Sequence, residues 1–137
     1  MIQALLIIGH FLINYSDFTH EETVEVLGEE RIFNMTAYTA GPESTGKRPG
    51  DKGYGITRTG THVKEGRTIA CPESMVLDER GVPLEDPVQI YIPYFDNTFT
   101  CEDTGSAITE GHLDIYMEDL QRALEFGRRD LEAIILD

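Results

Sequence analysis

Over much of the chain apolar and polar residues trade places every second position, in stretches rich in β-branched and aromatic residues. Residues 31–39 (Arg-Ile-Phe-Asn-Met-Thr-Ala-Tyr-Thr) have this pattern and predict a strand. Residues 55–60 and 67–70 predict two short strands joined through a polar segment at 61–66. Residues 88–92 and 98–101 also alternate and flank Asp96-Asn97, which predicts a hairpin with a loop longer than the tightest type. Residues 114–117 predict another short strand, and the apolar run at 131–136 a buried closing strand. The period changes once. Leu120, Ala123, Leu124 and Phe126 fall at helical spacing, Glu118 and Asp119 lie where a helix start favours acid, and Gly127 suits a stop.

Two stretches break every pattern. Residues 41–53 carry four glycines and two prolines, and residues 72–87 hold three prolines and the turn signal Asp78-Glu79-Arg80-Gly81, so both predict loops. No internal repeat is visible. Six or seven short strands with one late short helix imply a mainly β fold, a small barrel.

The first thirteen residues are an apolar run without a preceding Lys or Arg and without a small-x-small step after it, an atypical signal peptide. The run is shorter than the roughly twenty residues of a spanning helix. It reads as a buried first strand or helix, as the remnant of a signal, or as an interfacial anchor; membrane contact is expected only through residues 2–13. Residues 17–28, acidic at Glu21, Glu22 and Glu25, read as a linker or a short helix. The expected organisation is an apolar segment and acidic linker over 1–29, followed by one domain over 30–137.

Composition narrows the function. With 40% apolar and 26% charged residues the chain is ordinary for a globular domain, but 25 acidic against 11 basic residues give a net charge of −14 and a pI near 4.5. Such a surface repels phosphate backbones, and no basic run is longer than a pair such as Arg128-Arg129, so nucleic acid is excluded as a partner. His10, His20, His62 and His112 share no ligand spacing, and His112 is expected to point to the opposite strand face from Asp114, so no metal is expected. The glycines from 53 to 60 have neither the helix nor the lysine of a nucleotide loop, and no cofactor is expected. Cys71 and Cys101 lack zinc or redox spacing; they read either as free thiols or as one disulfide.

The candidate chemistry is a pair of carboxylates. Asp103 ends one predicted strand and Asp114, eleven residues on, begins another, an arrangement in which two carboxyls can meet and one remain protonated. Burial beside Ile115 and Tyr116, with Asp103 near, would raise the Asp114 pKa as a general acid requires. Asp103 sits in Asp-Thr-Gly, also a plain turn signal, so it reads as holding a loop and shaping a pocket. Thr104, Gly105, Ser106 and Ala107 are small enough for a sugar ring to approach the backbone. Tyr38 and Tyr54 read either as sugar-stacking rings or as packing.

Tyr38-Thr39-Ala40-Gly41-Pro42, Tyr54-Gly55-Ile56-Thr57 with Thr59-Gly60-Thr61, Asp103-Thr104-Gly105-Ser106-Ala107-Ile108, Leu113-Asp114-Ile115-Tyr116, and Ala123 through Phe126-Gly127-Arg128-Arg129 occur in that order. Together, from about residue 33 to 136, they resemble the 3D domain, the three-aspartate module of the membrane-bound lytic transglycosylase A superfamily, found also in Gram-positive wall-remodelling proteins and their phages. The resemblance implies a six-stranded double-psi β-barrel that cleaves peptidoglycan glycan strands between N-acetylmuramic acid and N-acetylglucosamine without metal or organic cofactor. It implies that Asp114 is the catalytic acid and then base, that Asp103 is its carboxylate neighbour, and that the protein acts outside the cell or at the wall. The family's third aspartate falls in the step that here reads Ile69-Ala70-Cys71-Pro72, so Cys71 replaces it. The family's Ile-Pro-Leu-Gly-Thr turn is matched only as Val82-Pro83-Leu84-Glu85-Asp86, after an extra loop whose Asp78 and Glu79 are candidates to supply the missing carboxylate. These departures imply two alternatives, a catalytically impaired peptidoglycan-binding module and a structural phage or spore protein.

Overall fold

A computed structural model of the chain describes residues 13–17, 20–24 and 26–137. Eight strands occur among them: β1 (Ile13–Asp17), β2 (His20–Val24), β3 (Gly28–Tyr38), β4 (Thr68–Ala70), β5 (Gln89–Ile92), β6 (Asn97–Asp103), β7 (His112–Tyr116) and β8 (Arg129–Leu136). Two α-helices accompany them, α1 (Pro42–Thr45) and α2 (Leu120–Phe126), with one 3-10 turn at Glu73–Met75. Six strands close a barrel in the order β3-β7-β4-β6-β5-β8, so the mainly β barrel expected from the alternating pattern is the fold.

Closure comes from the longest ladder, in which β3 runs antiparallel to β8 from Gly28↔Leu136 to Met35↔Arg129. At its start the strands approach so closely that a Cβ on Gly28 would lie 2.1 Å from the Ile135 carbonyl oxygen, which leaves room only for glycine. The other edge of β3 pairs in parallel with β7, placing Thr36 opposite Asp114 and Tyr38 opposite Tyr116. β4 lies antiparallel to β7 and parallel to β6, and β5–β6 is an antiparallel hairpin. Its turn includes Asp96 at φ 50, a left-handed position that a short polar side chain tolerates; the Tyr91 hydroxyl donates to its carboxylate.

Alternation along the strands makes the core. Phe33 and Met35 of β3, Leu113 and Ile115 of β7, Ile69, Ile90, Ile92, Phe99 and Ala133 all point inward and are buried. The same cluster holds Cys71 and Cys101, joined as a disulfide with Cα atoms 5.6 Å apart. This settles the open alternative: neither is a free thiol. α2 packs Ala123 and Phe126 on the barrel end, Asp119 caps it by accepting from the Arg122 backbone N–H, and Gly127 ends it at φ 63.

Three expectations are corrected. Residues 20–24 are strand, not helix: β2 pairs antiparallel with β1 from Asp17↔His20 to Ile13↔Val24, and β3 already starts at Gly28. Ladder pairing overrides the helix preference of the glutamates there. Residues 55–60 form no strand; a single bridge joins Ile56 to His62 around a turn in which Gly60, at φ 94, donates its N–H to the Thr57 carbonyl. The predicted loop over 41–53 contains the one-turn helix α1, begun at Pro42 and stopped at Gly46 (φ 76). The apolar run at 1–13 lies, but for Ile13, outside the described residues. Among the described residues no helix is long and apolar enough to cross a membrane.

Candidate active site

The barrel wall has two faces, and the candidate site is built on the outer one. Along β7, Leu113 and Ile115 point to the core, so the period of two turns His112, Asp114 and Tyr116 outward. On β3 the same rule turns Thr36 and Tyr38 outward beside them, and the parallel register fixes who meets whom. Thr36 donates its hydroxyl to Asp114 Oδ1 at 2.8 Å, across 78 residues of sequence. The same Thr36 oxygen lies 2.8 Å from His112 Nε2, and His112 Nδ1 lies 3.1 Å from the Ala107 carbonyl oxygen. The expectation that His112 faces away from Asp114 is therefore wrong, because residues two apart in a strand share a face.

Asp103, at the end of β6, is held at both oxygens. The Tyr38 hydroxyl donates to Oδ2 at 2.7 Å, and the backbone N–H groups of Arg58 and Thr104 donate to Oδ1 at 2.9 and 3.0 Å. Three donors and no acceptor make this a seat for an ionised carboxylate. The preceding residue anchors the strand from the other side: Glu102 is buried and accepts from Arg67 Nε and the Thr68 hydroxyl.

The two aspartates share one open cavity of about 340 Å³. Its wall includes Thr104, Gly105, Ser106 and Ala107 from the β6–β7 loop, Tyr38 and Ala70 from the barrel, and Ser44, Thr45 and Lys47 from α1 and the loop after it. Burial pushes the Asp114 carboxyl above its ordinary value and the charge of Asp103 pushes the same way, while the Thr36 hydroxyl, His112 and Arg128 oppose it. Burial first, and then the charge and hydrogen bond of Asp103, drive the Tyr38 phenol upward as well, so it keeps its proton and remains a donor.

Seven of the residues singled out from the sequence thus line one cavity: Tyr38, Asp103, Thr104, Gly105, Ser106, Ala107 and Asp114. Tyr54 does not; it packs beside the cluster that contains Tyr38 and Tyr116, whose rings meet edge to face at 5.6 Å. Cys71 is buried in the core, bonded to Cys101, and offers no thiol to the cavity. Asp78 and Glu79 line a separate cavity with Arg58 and Glu73, and Asp78 holds its own turn by accepting from the N–H groups of Arg80 and Val82. The contributions of Thr36, His112, Lys47 and the Arg58 N–H went unread in the sequence; only the shared face of positions 112 and 114 was available there. Among the described residues no group of three or more His, Cys, Asp or Glu converges on a metal-sized position.

Residues 73–137, which include both aspartates of the cavity, match the family model of the 3D domain. Over those residues the chain is similar to the 3D domain. A solved structure, the Streptomyces papain inhibitor (SPI), is similar over 80% of this chain and 96% of its own, with a TM-score of 0.53 and 18% sequence identity. That likeness shows the fold, and the closed six-stranded barrel is a double-psi β-barrel. No curated protein matches the chain. The matched residues supply β5 to β8, hence Asp103, the small-residue loop and Asp114; Thr36, Tyr38 and Cys71 precede them.

Proposed function

We propose that this barrel cleaves peptidoglycan glycan strands between N-acetylmuramic acid and N-acetylglucosamine by a lytic transglycosylase reaction. The observation that carries this reading is the contrast within the aspartate pair: Asp103 is fixed as an anion by three donors, whereas the environment of Asp114 favours its proton. Asp114 donates its proton to the oxygen leaving C1 of the muramic residue, and the C1–O bond breaks. The cationic sugar that forms is stabilised by the fixed charge of Asp103. Asp114, now ionised, takes the proton of the muramic C6 hydroxyl as that oxygen bonds to C1, which closes a 1,6-anhydro ring and restores the acid. One carboxyl serves twice and no water is consumed, unlike the two-carboxylate hydrolases.

A second reading, a binding module without turnover, is favoured by one observation: where the family resemblance places a third aspartate this chain has Cys71, closed in a disulfide. The same disulfide supports action in an oxidising compartment, outside the cell or at the wall. Mass spectrometry of the products released from purified sacculi separates the readings. Anhydro-muropeptides are expected; sacculus binding with no anhydro ends is the result that replaces the enzyme by the binder.

A further inference from the structure

Thr36 stands between two groups that compete for its single hydroxyl hydrogen. Asp114 Oδ1 and His112 Nε2 each lie 2.8 Å from Thr36 Oγ1, and the Ala107 carbonyl oxygen lies 3.1 Å from His112 Nδ1. A carbonyl only accepts, so Nδ1 carries a hydrogen. Every contact is then satisfied in two ways. With Asp114 ionised, Thr36 donates to Oδ1 and accepts from Nε2–H, and His112 is an imidazolium. With Asp114 protonated, its O–H donates to Thr36, Thr36 donates to Nε2, and His112 is neutral. Both arrangements hold the same number of protons. Removing that proton leaves the one Thr36 hydrogen facing two acceptors, so the surroundings favour keeping it.

The charges around this chain come from four places. Asp114 shares the strand, and Asp103 faces it from β6. From the β8 side, Arg128 donates to Asn34 Oδ1 while Asn34 donates to Asp130 Oδ1 at 3.0 Å, and Asn34 lies opposite His112 in the β3–β7 register. Glu110, in the turn before β7, accepts from the Ser74 hydroxyl.

We propose that His112, acting through Thr36, is a positioning residue that loads Asp114 with its proton before the glycosidic bond breaks, a role that rests on the reading of Asp114 as the acid. The step balances within the protein: Nε2–H passes to Thr36 Oγ1 as the Thr36 hydrogen passes to Asp114 Oδ1, the imidazolium becomes neutral and the carboxylate becomes an acid. Rotation of the carboxyl about Cβ–Cγ turns the protonated oxygen to the cavity. The His112 charge opposes a proton on Asp114 only while the imidazolium keeps its own, and the transfer abolishes that charge, so Asp114 can be loaded up to the pH at which the pair, and not the carboxyl alone, loses its proton.

The test pairs two measurements on the full chain across pH, anhydro-muropeptide release from sacculi and 15N NMR titration of the imidazole, in wild type, Thr36→Val, Thr36→Ser and His112→Gln. Expected are a basic limb of activity that moves to lower pH in Thr36→Val and His112→Gln, and an imidazole midpoint about half a pH unit or more lower in Thr36→Val, roughly a threefold loss of proton affinity. Thr36→Ser, which keeps the hydroxyl, retains both wild-type values. Activity lowered equally at every pH, with an unmoved basic limb and imidazole midpoint in Thr36→Val, makes Thr36 and His112 structural and overturns the loading role alone. A folded wild type that releases no anhydro ends overturns the enzymatic reading and the loading role with it.

Discussion

The two faces of the β3–β7 ladder share a backbone and differ in almost everything else. Inward, Phe33, Met35, Leu113 and Ile115 are buried against one another and no polar group interrupts them. Outward, at the alternate positions of the same strands, Thr36 hydrogen-bonds to both His112 and Asp114 and Tyr38 to Asp103, and Tyr38, Asp103 and Asp114 line an open cavity. The inner face owes its energy to apolar area removed from water, which any side chain of the right volume supplies. The outer face depends on particular atoms at particular distances, and each of its hydrogen bonds contributes only about 0.5–3 kcal/mol net, because its polar groups exchange water for each other. A barrel of this kind can therefore change its chemistry without changing its fold, and the likeness to a papain inhibitor at 18% identity shows only that the scaffold persists.

Exchanging neighbours across the ladder tests that division most severely. Asp114→Asn keeps the shape but can neither give nor take the proton, so release of anhydro-muropeptides should fall by about a hundredfold or more, with little change in thermal stability. Leu113→Ala, one residue away, should cost about 2–5 kcal/mol in urea denaturation while activity survives at temperatures where the protein stays folded. Undiminished release by Asp114→Asn would remove this carboxyl from the reaction. Equal effects of both changes on stability would deny that the faces have separate duties.

The disulfide belongs wholly to the inner face. It closes a separation of 30 residues, so replacing both cysteines by serine should cost about 3–4 kcal/mol in the chain-entropy account. Because neither sulfur reaches the cavity, the pH profile of the folded double variant should match the wild type. A shifted profile would place position 71 in the catalytic constellation after all.

How far the sequence foretold this molecule follows from the distance over which each feature is decided. Strand periodicity in residues 31–39, 88–92 and 98–101 is local, and β3, β5 and β6 lie there. The aspartate pair was visible because its spacing is short and its flanking residues resemble a family. Thr36 was invisible in its role, since only the parallel pairing of β3 with β7 brings it to Asp114, and nothing in the neighbourhood of position 36 encodes a partner at position 114. His112 is a different case: the period of two places it beside Asp114, and the contrary expectation broke that rule. The β1–β2 ladder was misread because three glutamates speak for a helix or linker while backbone pairing is indifferent to them. The disulfide needed the barrel to bring β4 and β6 side by side.

Within the outer face, Asp103 and Asp114 should differ in what each loses. Tyr38→Phe removes the donor to Asp103 Oδ2 and leaves its two backbone donors in place. A charge-assisted bond of this kind contributes about 1.5–3 kcal/mol, so urea denaturation should show a loss of that order, with activity reduced and not abolished. Unchanged stability would mean that the phenol and carboxylate find water equally well when unfolded and folded.

The smallest expected effect concerns Asp114 and stability. Its folded-state pKa is raised, chiefly by burial, so the folded protein holds this proton more tightly than the unfolded chain does. Where the unfolded state binds fewer protons, stability falls as pH rises. The contribution of Asp114 is thus fully present below the ordinary carboxyl pKa and lost as pH rises through the elevated folded value. In Asp114→Asn nothing titrates there. The difference in melting temperature between wild type and variant should drift in favour of the variant as pH climbs from acid through that window, and become constant above it. A difference that stays flat throughout, or drifts the other way, would show that the hydrogen bond from Thr36 and the charges of His112 and Arg128 outweigh burial. The outer face would then hold Asp114 as an anion like its neighbour, and the asymmetry that assigns it the acid role would be gone.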